Sequence, residues 1–96
     1  MSISSSADWA TGWISGRTVL VTGGTGGIGR AIAEAFAVAG ATVTATAATE
    51  RELDQARNTG SALSFRQLDV RDTADVRAFM QTFDRLDLVV NCAGII

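Results

Sequence analysis

Glycine recurs at short intervals directly after an apolar, β-branched run, between Thr22 and Gly29. A strand that turns through glycine into a helix directs the unpaired N–H groups of the first helical turn, and the positive end of the helix dipole, at one point. Such a point binds anions. Gly24, Gly26 and Gly29 satisfy the pattern G-x-G-x-x-G, and a longer pattern, T-G-x-x-x-G-x-G, begins at Thr22. These glycines therefore predict a phosphate-binding loop.

The residues on either side of the loop meet the conditions for this function. Residues 18–22, Thr-Val-Leu-Val-Thr, suit a buried parallel strand. Apolar residues then recur at helical spacing from Ile28 to Ala39, and Gly40 stands where a glycine would end the helix. The alternative is a flexible turn that binds nothing. A strand before the loop and a helix after it favour nucleotide binding over that alternative.

The residue types that the chain lacks limit its chemistry. The 96 residues include no His, Tyr or Pro, and all 8 basic side chains are Arg, so there is no Lys. An ordinary base that titrates near neutrality and a phenolic acid are therefore both missing. The single cysteine, Cys92, excludes an internal disulfide and a cysteine metal cluster. We predict no catalytic residue and no metal site in this chain.

The overall composition is that of a globular domain, with 47% hydrophobic and 19% charged residues. A net charge of −2 gives no reason to expect nucleic acid or an acidic membrane as a partner. No stretch reaches membrane-spanning length, and the first six residues, Met-Ser-Ile-Ser-Ser-Ser, do not resemble a secretory signal. We therefore expect a cytoplasmic protein that binds neither nucleic acid nor membrane.

Strand and helix patterns alternate along the rest of the chain. Residues 41–47, 63–70 and 86–91 predict three further strands, and the dense Leu and Val content of the last one predicts burial on both faces. Thr49 with Glu52 predicts a capping box at the start of the second helix, and Asp72 or Thr73 predicts the cap of the third. Four residues at helical spacing predict the core face of that third helix: Val76, Phe79, Met80 and Phe83.

This alternation predicts an α/β fold that is part of a Rossmann-type doubly wound parallel sheet. The predicted part has four strands in the order 3-2-1-4 and three helices. Residues 1–15 are assigned to a flexible N-terminal tail, and residues 16–96 to the N-terminal half of the Rossmann domain, truncated after strand 4. Ligands bind such sheets at the carboxyl ends of the strands, where the strand order reverses. The glycine loop, Asp69 and the residues after Asn91 should therefore meet at one crevice.

Three motifs together resemble the short-chain dehydrogenase/reductase family, and the correspondence covers residues 14–96. They are Thr22-Gly23 with Gly27-Ile28-Gly29, Asp69-Val70, and Asn91-Cys92-Ala93-Gly94. The resemblance implies an NAD(P)-dependent oxidoreductase that moves a hydride between the nicotinamide and a small alcohol or ketone. It also implies that the pyrophosphate and the adenosine ribose are bound by the glycine loop, through Gly23, Thr25, Gly26, Gly27, Ile28 and Gly29. Asp69 would bind the adenine amino group, and the Val70 backbone would contact the adenine ring. Ala93 and Gly94 would line the cofactor, and Asn91 would chiefly brace the central strands.

Some positions depart from the pattern of this family. A carboxylate about 20 residues beyond the glycines usually holds the ribose of NAD, whereas Arg or Lys holds the 2′-phosphate of NADP. Residues 46–49 read Thr-Ala-Ala-Thr, and Gly26 stands where NADP-using members often carry a basic residue. The choice between NAD and NADP therefore stays open. Cys92 replaces a frequent Asn, and we interpret it as a small buried residue because no base is present to activate its thiol.

The catalytic Ser and Tyr-x-x-x-Lys of the family lie downstream of the fourth strand. We therefore expect these residues to be the amino-terminal half of an enzyme of about 250 residues, inactive alone and homo-oligomeric at full length. One alternative is a non-catalytic NAD(P)-binding module, and another is a methyltransferase that binds S-adenosylmethionine. A P-loop ATPase is excluded because no Lys follows the glycines.

Overall fold

The structure is a computed structural model that describes residues 12–59 and 62–93. Strands and helices alternate along these ranges, as the sequence predicts. The elements are β1 (Thr18–Thr22), α1 (Gly27–Val38), β2 (Thr42–Ala47), α2 (Glu50–Arg57), β3 (Ser64–Gln67), α3 (Thr73–Met80) and β4 (Leu88–Asn91).

The four strands form one parallel sheet in the order β3-β2-β1-β4, which confirms the predicted topology. Thr22, the last residue of β1, pairs with Thr46 in β2 and with Asn91 in β4. The carboxyl ends of the three strands therefore lie side by side. The strand order reverses between β1 and β4, next to the glycine loop that follows β1.

The apolar core has one cluster on each face of the sheet. Alternate residues of β1 point to opposite faces, and Val19, Leu20 and Val21 are all fully buried. Val19 and Val21 belong to the cluster that includes Ala33 of α1. Leu20 belongs to the other cluster, with Phe79 of α3. This burial on both faces makes β1 the centre of the domain.

The helix ends follow the sequence signals in most respects. Asp72 caps α3, because its side chain accepts a hydrogen bond from the Asp75 N–H at 3.1 Å. Gly40 has a φ of +100° directly after the C-cap of α1. Thr49 caps α2 by accepting a 3.3 Å hydrogen bond from the Glu52 N–H. Only this half of the predicted capping box forms, since no interaction of the Glu52 carboxylate is found among the described residues.

Three expectations differ from the structure. β3 and β4 are shorter than predicted, and residues 68–70 continue from β3 as an irregular segment. The prediction that β4 is buried on both faces is wrong: Val89 is 44% exposed, because β4 is an edge strand that packs on β1 alone in the described ranges. Ile14, assigned to the tail, is fully buried in the cluster around Val19. Residues 1–11 lie outside the described ranges.

Across the described residues, no helix is long and apolar enough to cross a membrane.

Candidate functional site

A crevice of about 700 Å³ opens at the carboxyl ends of the strands. Its walls come from the glycine loop, the end of β2, one side of α2, the segment after β3 and the first residues after β4. The glycine loop, the segment after β3 and the residues after β4 are the segments that the switch-point argument places together. The sequence therefore predicts the position of this crevice.

Two glycines of the loop are required by close packing of the backbone. Gly23 has a φ of +69°, and a Cβ added there would lie 2.8 Å from the Ala93 nitrogen. A Cβ added to Gly29 would overlap the carbonyl oxygen of Gly23 and lie 3.0 Å from its carbonyl carbon. Any side chain at either position would push the loop away from its neighbours. These two glycines thus fix the shape of the turn.

Gly26 and Gly27 have open space where the other two are crowded. A Cβ added to Gly26 or Gly27 would meet no atom within 4 Å. Gly26 is the N-cap of α1, yet it supplies no side-chain cap, and the first turn contains no acidic residue. Among the described residues, the N–H groups at the start of α1 therefore have no protein anion as a partner. An anionic ligand fits here, because it would meet both open space and unpaired donors.

Asn91 ties β4 to β1 beside the loop. The Thr22 hydroxyl donates a 2.6 Å hydrogen bond to Asn91 Oδ1, and the Cys92 N–H donates to the Thr22 carbonyl at 3.0 Å. Asn91 does not line the crevice, whereas Cys92 and Ala93 do. This geometry matches the bracing role that the resemblance implies for Asn91.

Asp69 lies on the crevice wall as a fixed carboxylate. Its Oδ1 accepts from both the backbone N–H and the Nε of Arg71, each at 3.0 Å, and its Oδ2 accepts from Arg71 Nη2 at 3.0 Å. These hydrogen bonds, with that from the guanidinium largest, lower the pKa of Asp69 from 3.8 to about 2. Asp69 is therefore an ionised acceptor at neutral pH, which suits the adenine amino group predicted for it.

The structure places the predicted cofactor residues in three groups. Those that line the crevice are Gly23, Thr25, Gly26, Asp69, Val70 and Ala93. Those that lie next to it without lining it are Gly27, Ile28, Gly29 and Asn91, and Ile28 is 69% exposed. Gly94 lies outside the described residues. The described members of the predicted set thus lie at one end of the sheet, and their cofactor-binding roles stay predictions.

One wall of the crevice was not predicted. Glu52, Gln55 and Ala56 of α2 line the cavity, together with Thr59, which follows the end of the helix. Their spacing of three, four and seven residues from Glu52 marks one face of a helix. The sequence contains this spacing, but the capping signal of Thr49 and Glu52 indicates only where the helix begins and not which face lines a cavity.

Arg30 connects the loop helix to this wall. Its Nη1 donates to the Ala56 carbonyl at 3.4 Å, its Nε pairs with Glu34 at 3.3 Å, and its guanidinium lies 5.3 Å from the centre of the Phe65 ring. The side chain is 19% exposed. Arg30 therefore holds α1 and α2 together along the crevice, with its charge already neutralised by Glu34.

No group of three or more possible metal ligands occurs among the described residues. The crevice offers instead backbone N–H groups, a fixed carboxylate and small side chains, which together suit a nucleotide with phosphate groups.

Comparison with known proteins agrees with this geometry. A family model described as short chain dehydrogenase matches residues 17–96. The 3-hydroxyacyl-CoA dehydrogenase type-2 of Drosophila melanogaster is 45% identical over 80 residues, which are 78% of this chain and 31% of that protein. The 3beta-hydroxysteroid dehydrogenase 2 of Eggerthella lenta is 34% identical over 90 residues, or 85% of this chain and 35% of that protein.

Solved structures give the same result. The crystal structure of 2-keto-3-deoxy-D-gluconate dehydrogenase from Streptococcus agalactiae matches with a TM-score of 0.76 at 31% identity, over 86% of this chain and 34% of that one. A short chain dehydrogenase/reductase family protein matches with a TM-score of 0.75 at 37% identity, over 85% and 35% of the two chains. The chain thus spans about a third of the length of these relatives. From the family model and these similarities, the chain belongs to the short chain dehydrogenase family.

Proposed function

We propose that this chain is the dinucleotide-binding half of an NAD(P)-dependent oxidoreductase that acts on a small alcohol or carbonyl compound. The observation that carries the proposal is the uncapped start of α1 at Gly26, which faces open space in the crevice. The relatives support the reaction class, because those described above are named as dehydrogenases.

The residues present fit the adenosine and pyrophosphate parts of the cofactor. The N–H groups at the start of α1 would bind the pyrophosphate. The ionised Asp69 would accept a hydrogen bond from the adenine amino group, with the Val70 backbone against the ring. When bound, the cofactor supplies or accepts the hydride. The described residues hold and orient the nucleotide, and Arg30 keeps α1 and α2 at a fixed separation around it.

A non-catalytic NAD(P)-binding module is the second candidate. It is favoured by one observation, that these 96 residues contain no Tyr, His or Lys to move a proton. Homo-oligomeric assembly and a cytoplasmic location stay predictions in either case.

The test compares two variants of one position in the intact protein, Gly26→Asp and Gly26→Asn. Asp and Asn are both good N-caps of nearly equal size, so both variants should fold at least as stably as the wild type. Only Asp places a negative charge against the start of α1, where it would compete with the pyrophosphate. We expect Gly26→Asp to bind NADH and NADPH at least tenfold more weakly than Gly26→Asn.

Binding is measured by nicotinamide fluorescence, followed by turnover assays with alcohols and ketones. Equal affinity of the two variants, or no binding by a folded wild type, refutes the proposed nucleotide site. Binding without turnover of any alcohol or ketone supports the non-catalytic module instead.

A further inference from the structure

We propose that Glu52 accepts the hydroxyl hydrogen bonds of the adenosine ribose and makes the crevice select a dinucleotide without a 2′-phosphate. This inference rests on the nucleotide-binding function proposed above. It concerns the choice between NAD and NADP. The sequence leaves this choice open, because the end of β2 carries neither the usual carboxylate nor a basic residue.

Among the described residues, the end of β2 offers no polar side chain to the crevice. Its crevice-lining side chains belong to Ala47 and Ala48, which have no polar atoms. The Ala47 carbonyl accepts from the Leu68 N–H at 2.9 Å, and the Ala48 carbonyl accepts from Gln67 Nε2 at 3.0 Å. The strand end is therefore engaged in joining β2 to β3, and a ribose there needs an acceptor from another element.

Glu52 is the carboxylate that the next element brings to this wall. It lies in the first turn of α2, lines the crevice and is exposed. The helix that carries it is fixed by the Thr49 cap and by Leu53, which is 1% exposed. A carboxylate held on a packed helix is a suitable acceptor for the two hydroxyls of a ribose.

Glu52 is the charged residue of the crevice lining for which no ion pair is found among the described residues. In the described part of the chain, four charged residues line the cavity: Arg30, Glu52, Asp69 and Arg71. Arg30 pairs with Glu34, and Asp69 pairs with Arg71. Among the described residues no ion pair or hydrogen bond involves the Glu52 carboxylate. The lining thus presents one uncompensated negative charge, which would repel a 2′-phosphate.

The experiment uses two ligands that contain the ribose but no nicotinamide, ADP-ribose and 2′-phospho-ADP-ribose. Their affinities for the intact protein are measured by calorimetry. We expect the wild type to prefer ADP-ribose by about tenfold, which corresponds to about 1.4 kcal/mol. Glu52→Gln should reduce this preference to about threefold or less, because it removes the repulsion while it keeps the size of the side chain.

Glu50→Gln is the matched control. Glu50 lies in the same first turn of α2 and carries the same charge, but it does not line the crevice. It should leave the preference at the wild-type value. The inference is overturned if the wild type binds both ligands equally or prefers 2′-phospho-ADP-ribose. It is also overturned if Glu50→Gln changes the preference as much as Glu52→Gln does. Failure of the folded wild type to bind either ligand refutes the nucleotide site itself.

Discussion

Substitution by alanine should destabilise the protein at Gly29, which is crowded, but not at Gly26, which has open space around it. An alanine at Gly29 places its Cβ against the Gly23 carbonyl, 3.0 Å from the carbon and closer to the oxygen. Because the obstacle is backbone, it cannot rotate away as a side chain could. An alanine at Gly26 meets nothing within 4 Å, and its φ of −157° is open to any residue.

The size of the two effects follows from these contacts. Forcing an extra carbon into a packed site costs about 1–3 kcal/mol, and a backbone neighbour favours the upper end. Gly29 lies within α1, so the better helix propensity of alanine offsets about 1 kcal/mol of this loss of stability. We therefore expect Gly29→Ala to lower the free energy of unfolding by about 2 kcal/mol. For Gly26→Ala we expect a change within about 0.5 kcal/mol, because reduced chain entropy in the unfolded state offsets the poorer cap.

The assay is urea denaturation of the intact protein, followed by far-ultraviolet circular dichroism, with midpoint and slope compared between variants. Gly12→Ala is a control, since a Cβ at Gly12 also meets nothing within 4 Å and Gly12 lies away from the crevice. A Gly29→Ala midpoint equal to that of the wild type would refute the argument from close approach. An equal loss in Gly26→Ala and Gly29→Ala would do the same.

Three further predictions concern charge. Gly26→Arg should raise the affinity for 2′-phospho-ADP-ribose relative to ADP-ribose by about tenfold in calorimetry, since the guanidinium adds a positive charge and hydrogen-bond donors for the 2′-phosphate at the crevice. The Thr18 N–H, which donates to Asp87 at 2.8 Å, and the neighbouring arginines lower the pKa of Asp87 below 3.8. This stabilisation is complete above pH 3.8 and is lost as the pH falls through the lowered pKa, so urea midpoints should fall less between pH 5 and pH 2.5 in Asp87→Asn than in the wild type. Arg66 lies 4.1 Å from the Phe79 ring, and Arg66→Ala should lower the free energy of unfolding by about 1 kcal/mol in urea titrations, with Arg66→Lys closer to the wild type.

Features encoded by neighbouring residues could be predicted from the sequence. The run from Thr18 to Gly40 gives a strand, a tight turn and a helix with its terminating glycine, all set by local propensity and spacing. The alternation predicts a parallel sheet with right-handed crossovers, and the order 3-2-1-4 is the common doubly wound arrangement of such a sheet. The position of the crevice then follows from the order, and with it the location of Asp69.

Features that depend on contacts between distant residues could not be predicted. Ile14 is buried in a cluster whose other members include residues of β1, β2 and α1, and these segments meet only in the folded chain. The bridge from Arg30 to Ala56 joins residues 26 apart, and nothing in either local segment encodes it. The exposed face of β4 reflects its place at the edge of the sheet, whereas its Leu and Val content alone matches a central strand. The position of Glu52 on the crevice wall also depends on how α2 packs, whereas the local sequence indicates only a helix cap.

The pairing of β4 with the middle of the sheet also has a consequence during synthesis. Thr22 and Asn91 are hydrogen-bonded although they lie 69 residues apart. Ribosomes add about 5–20 residues per second, so roughly 3–14 s pass before the partner of β1 on that side has been made. During this interval the edge of the most buried strand is open to other nascent chains. Slow translation of this segment should therefore increase aggregation, and chaperones that bind apolar strands have their longest opportunity here.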